Sequence, residues 1–176
     1  IIPSHVIVKE KIIDGQLTVK GRLVAGGNKQ DPSIEDLYNS STVKTTSLFL
    51  LLAAAAIESK HLCSMDIEGA YLEAALHDEV LMTLDNNISD IIVNLYPNLS
   101  VYLNDNGCFV VKLLRALYGT VQAASLWQER WTNVLIKLGY KASPEDNCIF
   151  TKLIDNNVIT IGCHVDDSIA SHISKN

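Results

Sequence analysis

The sequence predicts an α+β fold in which a small antiparallel sheet is backed by helices. Three observations lead there. Short strand-like runs are separated by Gly, Asn and Asp; two longer stretches, 45–59 and 122–138, carry apolar residues at helical spacing; and the first two strand-like runs meet at Asp14-Gly15.

Residues 5–13 and 16–25 read as a hairpin, because Asp-Gly suits a tight turn with positive backbone dihedrals. Residues 26–43 hold Gly26-Gly27-Asn28, Asp31-Pro32 and a Ser/Thr/Asn cluster, so they read as a loop. Thr45 or Thr46 is placed to cap a helix through Leu48, Leu51, Leu52 and Ala55, apolar nearly all round and so expected to be buried. Strands are expected at 61–67, 78–84 and 108–114. Ile91, Ile92, Leu95 and Tyr96 mark a short helix within the polar stretch 86–106. The second long helix presents Leu126, Trp127, Trp131, Val134, Leu135 and Leu138 and stops at Gly139. A hairpin of 148–154 and 158–165 turns at Asp155-Asn156-Asn157, and 168–173 forms the last strand. No internal repeat or low-complexity segment is visible.

At 176 residues the chain has the length of one domain, or of a piece of a larger one. The start at Ile1 rather than Met, and the end just past the last expected strand, favour a piece of a longer product. Its longest apolar run, 48–57, is half the length a membrane span needs, and no secretory signal precedes the first strand. No membrane partner is expected. Cys63, Cys108, Cys148 and Cys163 are far apart and set among apolar residues, the pattern of buried thiols in a reducing compartment, and without a CxxC pair a zinc site is not expected. The net charge of −6 argues against a nucleic-acid partner at first sight, but its distribution is uneven. Lys9, Lys11, Lys20, Arg22 and Lys29 crowd the start, and Lys112, Arg115, Arg130, Lys137 and Lys141 crowd 112–141. Between these basic segments, 58–105 holds nine acids and one base, Lys60. The pattern suits either a phosphate track beside a cation site or ordinary solvated charge.

Side-chain parity sharpens the acidic part. In 61–67 Leu62, Ser64 and Asp66 share one face; in 159–166 Thr160, Gly162, His164 and Asp166 share one face. With helices packed on the other, apolar face of a common sheet, Asp66 and Asp166 emerge together on an open face, and Asp167 in the following turn reaches towards them. Three gathered carboxylates repel unless a cation neutralises them, and an all-oxygen donor set suits Mg2+ or Mn2+. Two such ions serve in-line phosphoryl transfer. An Asp-Asp turn exposed to solvent accounts for the pair equally well.

The chain resembles the reverse transcriptase of copia-type LTR retrotransposons through Lys20-Gly21-Arg22-Leu23-Val24-Ala25, Ser64-Met65-Asp66-Ile67-Glu68-Gly69-Ala70-Tyr71-Leu72, Leu117-Tyr118-Gly119 with Gln122-Ala123 and Trp127, and Val165-Asp166-Asp167, in that order and at similar spacing. The resemblance implies a polymerase palm-type sheet backed by helices, a fingers region in the N-terminal hairpin, no thumb, and one reverse transcriptase domain over 1–176. It implies RNA-directed DNA synthesis with two Mg2+ or Mn2+ ions held by Asp66, Asp166 and Asp167, the Ile67 carbonyl adding a ligand. Tyr71 takes the place of the ring under the incoming sugar, Lys20 and Arg22 the place of groups meeting the triphosphate, and Tyr118, Gly119 and Gln122 the segment lining the nucleotide and template site. The implied partners are an RNA or DNA template with primer, deoxynucleoside triphosphates, and the integrase and RNase H parts of a Pol polyprotein. The implied setting is intracellular, in a cytoplasmic virus-like particle.

Some positions depart from the family pattern. His164, on the primer side, stands where Tyr is usual and puts a titratable imidazole beside the acids. Thr120-Val121-Gln122-Ala123-Ala124 lacks the usual Lys and Pro, and Gly27 stands where Lys is common. The triad survives these changes. An inactive relic that keeps the fold, or another two-metal enzyme such as a nuclease, therefore stand as rival readings.

Overall fold

The computed structural model describes residues 1–13 and 15–173. It is a mixed α+β structure that divides into two compact units, Ile1–Tyr38 with Tyr71–Ala123, and Asn39–Ala70 with Ala124–Asn176.

The first unit is built on strands β1 (Ile2–Ile13) and β2 (Gln16–Ala25), an antiparallel hairpin in which Lys9 faces Lys20 and Ile7 faces Arg22. Its turn uses Gly15 at φ +77°, a conformation that costs glycine little; Asp14, the other half of the expected turn pair, lies outside the described residues. The expected strands at 78–84 and 108–114 are shorter, β4 (Leu81–Thr83) and β5 (Val110–Lys112). Together they make a sheet of order β2-β1-β4-β5, in which β1 joins β4 in parallel through Ile2 opposite Met82. The short helix is present as α2 (Asn86–Leu95), capped where the Ile88 N–H donates to Asp85 Oδ1 at 3.0 Å.

The second unit is a five-stranded antiparallel sheet of order β3-β9-β8-β7-β6, comprising β3 (His61–Asp66), β6 (Lys141–Ala142), β7 (Ile149–Ile154), β8 (Asn157–His164) and β9 (Asp167–His172). β7 and β8 turn through Asp155 and Asn156, both at positive φ, the backbone that matches strand twist in a two-residue hairpin. Helix α3 (Ala123–Lys137) packs Trp131 and Leu135 against Phe150, Ile161, Cys163 and Ala170, the buried core of this unit. It ends as expected at Gly139, φ +87°, where Tyr140 N–H reaches back to the Leu135 carbonyl at 3.0 Å.

Helix α1 (Thr45–Ile57) departs from expectation in three ways. It does not share a sheet face with α3. A Cβ on Gly162 would meet Leu51, Ile149 and Ile169, whereas the neighbouring Cys163 lies against Trp131 of α3, so the two helices cover opposite faces. Nor is it buried all round: only Leu51 and Ala55 are buried, and Phe49, Leu50 and Ile57 face outward, because a helix lying on a sheet covers only one of its own sides. Finally, neither Thr45 nor Thr46 caps it. Lys44 is the cap residue and has no side-chain cap bond; instead the distant Asp146, 6 % exposed, accepts from Lys44 N–H at 2.9 Å and also from Cys148 N–H at 3.0 Å. Cys63 also departs from expectation, being exposed on the edge strand β3, while Cys108, Cys148 and Cys163 are buried.

Asp146 thus joins the start of α1 to the start of β7. Burial pushes its carboxyl up, but hydrogen bonds from Ser47, Lys44 and Cys148, with the Lys44 charge, outweigh it and hold the group below its ordinary value. Asp146→Ala is expected to cost roughly 2–4 kcal/mol, since it leaves buried donors without an acceptor. The measurement is urea unfolding followed by Trp fluorescence, where an unchanged midpoint contradicts the role. The folded value is lowered, so the wild-type advantage over Asp146→Asn is complete above the ordinary carboxylate value and fades as pH falls through the folded value.

Candidate active site

The acids lie at one end of the five-stranded sheet, in a register different from the expected one. β8 ends at His164 rather than running to Val165, and a two-residue turn, Val165-Asp166, leads into β9. Asp166 therefore sits in the turn, and Asp167 is the acid within a strand. The ladder places Asp167 opposite Asp66 on one side and opposite His164 on the other, so that His164, Asp167 and Asp66 form a row on a single face. This face also carries α1 over Gly162, so the acids do not stand on a face free of helices; they stand at its exposed end.

The turn has a physical reason. Val165 adopts φ +58°, a region β-branched residues avoid and whose cost is roughly 1–3 kcal/mol. Two bonds hold it there: Trp127 Nε1–H donates to the Val165 carbonyl at 2.7 Å, and Ile67 N–H donates to the Asp166 carbonyl at 3.1 Å. The second bond ties the turn to the end of β3. The Ile67 carbonyl, the expected extra ligand, accepts from Ala70 N–H at 3.2 Å. Trp127 belonged to the motifs of the resemblance but had no role; its tie to the turn needs the packed fold to be seen.

The donor set is right for a hard divalent cation, since Asp66, Asp166 and Asp167 offer only oxygen. Among the described residues no three His, Cys, Asp or Glu side chains are grouped closely enough to hold a metal ion, and the pair brought face to face is Asp66 with Asp167.

The other sequence-selected residues lie in the first unit. Tyr71 and Tyr118 pack with ring centroids 4.6 Å apart and planes tilted by 54°, and the Arg22 guanidinium lies 5.5 Å from the Tyr118 centroid, giving a contiguous series of cation, ring and ring. Lys20 lies beside Arg22, Lys9 and Lys11 along one face of the β1–β2 hairpin. Gly119 has φ +93°, and its neighbour's carbonyl, on Tyr118, accepts from Ala25 N–H at 2.7 Å. Gln122 is only 1 % exposed, and its amide is bonded to Gln30 and Asp78 instead of facing open space. Neither partner is marked by a local motif, because both lie far from Gln122 in sequence.

Gly27 sits at a close approach of two backbone segments. A Cβ at Gly27 would overlap the Gly119 carbonyl oxygen, and one at Gly119 would overlap the Ala25 carbonyl oxygen. Two backbones meet there without room for a side chain.

The sequence from residue 1 to 175 matches the family model described as reverse transcriptase (RNA-dependent DNA polymerase). The chain is 29% identical over 175 residues to the retrovirus-related Pol polyprotein from transposon RE1 of Arabidopsis thaliana, covering 94% of this chain and 11% of the relative. It is 30% identical over 161 residues to the transposon Ty1-BL Gag-Pol polyprotein of Saccharomyces cerevisiae, with 90% and 8% covered. With the retrovirus-related Pol polyprotein from transposon TNT 1-94 of Nicotiana tabacum the identity is 27% over 152 residues, with 85% and 10% covered. No solved structure matches. The chain thus spans about a tenth of the length of these relatives.

Gly27→Lys is expected to destabilise the protein by roughly 2 kcal/mol or more. Gly21→Ala, where a Cβ meets nothing within 4 Å, should change stability far less. Thermal unfolding of the two variants checks this, and equal melting temperatures contradict the backbone contact.

Proposed function

Since the chain belongs to the reverse transcriptase (RNA-dependent DNA polymerase) family, in its copia type, we propose that it is the part of a retrotransposon Pol polyprotein that performs template-directed DNA synthesis. The observation that carries this reading is the register that sets Asp66 opposite Asp167 with Asp166 in the adjoining turn. Like charges directly opposed across a ladder destabilise a sheet, so an unneutralised pair of this kind points to a cationic ligand.

In this reading the five-stranded sheet is the palm and the β1–β2 hairpin the fingers. Asp66, Asp166 and Asp167, with the Ile67 carbonyl, would hold Mg2+ or Mn2+. When bound, two such ions supply activation of a hydroxyl nucleophile and stabilisation of the leaving oxygen. The reaction joins a primer 3′-oxygen to the α-phosphorus of a deoxynucleoside triphosphate; the bond from that phosphorus to the bridging oxygen breaks and pyrophosphate leaves. The side chains contribute orientation and charge. Lys20 and Arg22 would meet the triphosphate, Tyr71 the sugar and Tyr118-Gly119 the nucleotide and template, so that binding aligns the reacting atoms. His164, in the same row as the acids, would face the primer. The partners are then a primed RNA or DNA template, deoxynucleoside triphosphates and the integrase and RNase H parts of the polyprotein.

A second reading, an inactive copy that retains the fold, is favoured by His164 in the acid row. One assay separates the two. Primer extension on an RNA template with Mg2+ or Mn2+ should give nucleotide incorporation that falls at least about 100-fold in Asp66→Asn and Asp166→Asn. Incorporation by the wild-type chain no greater than by Asp166→Asn removes the polymerase reading, and strand cleavage in place of extension would favour a nuclease.

A further inference from the structure

The buried amide of Gln122 belongs to a chain of hydrogen bonds whose direction is fixed at both ends. The backbone N–H of Val121, which can only donate, gives its hydrogen to Gln30 Oε1 at 2.9 Å. Gln30 must then present its nitrogen to Gln122, and Nε2–H donates to Gln122 Oε1 at 2.9 Å. Gln122 in turn donates from Nε2 to Asp78 Oδ2 at 3.2 Å. That carboxylate also accepts the Tyr38 hydroxyl at 2.6 Å, and this bond, with burial, raises the phenol above its ordinary value. A backbone donor at one end and a carboxylate acceptor at the other leave neither Gln amide free to flip without placing acceptor against acceptor.

This chain holds a segment and not only a side chain. Gln30 grips the Val121 peptide, one residue after a turn in which Thr120 N–H donates to the Leu117 carbonyl at 3.0 Å. The residues inside that turn are Tyr118, packed against Tyr71 and Arg22, and Gly119, whose backbone is pressed against Ala25. Gln122 is thus bonded through both its oxygen and its nitrogen, which fixes the orientation of its amide.

We propose that Asp78 and Gln30 are positioning residues of the nucleotide site, acting through Gln122 to hold the Tyr118-Gly119 turn in the conformation that receives a deoxynucleoside triphosphate. The inference rests on the polymerase reading, and nothing in the motifs of the family resemblance marks Asp78 or Gln30. Asp78 sets the polarity of the whole relay from the acceptor end, and Gln30 transmits it to the backbone.

The test is the affinity of the 176-residue chain for a template-matched deoxynucleoside triphosphate with Mg2+, on an RNA template whose primer ends in a dideoxynucleotide so that no chemistry follows. Asp78→Ala and Gln122→Ala should each weaken binding about tenfold, and the double variant should be no weaker than either single one, because all three break the same relay. Asp78→Asn, which keeps an acceptor oxygen, should stay within about threefold of wild type. Gln30→Glu covers the case in which Asp78→Ala does not fold: it retains the acceptor for Val121 but sets an acceptor against Gln122 Oε1, and should cost a similar factor. Losses that multiply in the double variant, or wild-type affinity in Asp78→Ala or Gln30→Glu, overturn the proposal, as does a lowered melting temperature with unchanged affinity. If the wild-type chain binds no nucleotide in this complex, the polymerase reading falls and the relay's role falls with it.

Discussion

Two carboxylates opposed across neighbouring strands set the constraint on which the second unit turns. Asp66 and Asp167 face each other at the end of β3 and β9, a like-charged ladder pair that does not favour the sheet. The register that opposes them is enforced elsewhere: by the Val165-Asp166 turn, by the Trp127 bond to the Val165 carbonyl, and by the Ile67 bond to the Asp166 carbonyl. Strain at Val165 is thus tolerated because the core helix α3 supplies a donor to the turn and at the same time buries Leu135 among Phe150, Ile161 and Cys163.

The first unit solves a different problem, that of presenting aromatic and basic groups on short, irregular backbone. Tyr118 sits in a turn with little regular structure of its own. Its position depends on close backbone contact between Gly27, Gly119 and Ala25, and on a polar relay buried at Gln122. Both devices fail abruptly rather than gradually. A methyl group has no space in the first, and a reversed amide leaves buried polar atoms unmatched in the second.

Much of this was legible in the residue pattern. The Asp155-Asn156 turn, the stop at Gly139 and the amphipathic spacing of Trp131 and Leu135 are local features, and local chemistry determines them. The nearness of Asp66 to the Asp166-Asp167 pair at one sheet end was legible too, but with Asp166 and Asp167 in exchanged places, because nothing in a run of apolar residues reveals that a valine will turn at positive φ. That conformation opposes its intrinsic preference and exists through Trp127, far away in sequence. The cap of α1 escaped for the same reason: Thr45 and Thr46 are good local candidates, yet the acceptor is Asp146. Gln30, Asp78 and the glycine pair are likewise long-range, and a single sequence holds no record of such pairs.

The central claim is that the row formed by Asp66 and Asp167, with Asp166 beside it, exists to bind a divalent cation. Its most direct test is Mn2+ titration of isotope-labelled protein, following paramagnetic broadening of backbone amides by NMR. The expected result is saturable broadening centred on 66–67 and 164–167, abolished by Asp66→Asn and by Asp167→Asn. Broadening spread over other acidic surface, or broadening at the row that survives both substitutions, would contradict it.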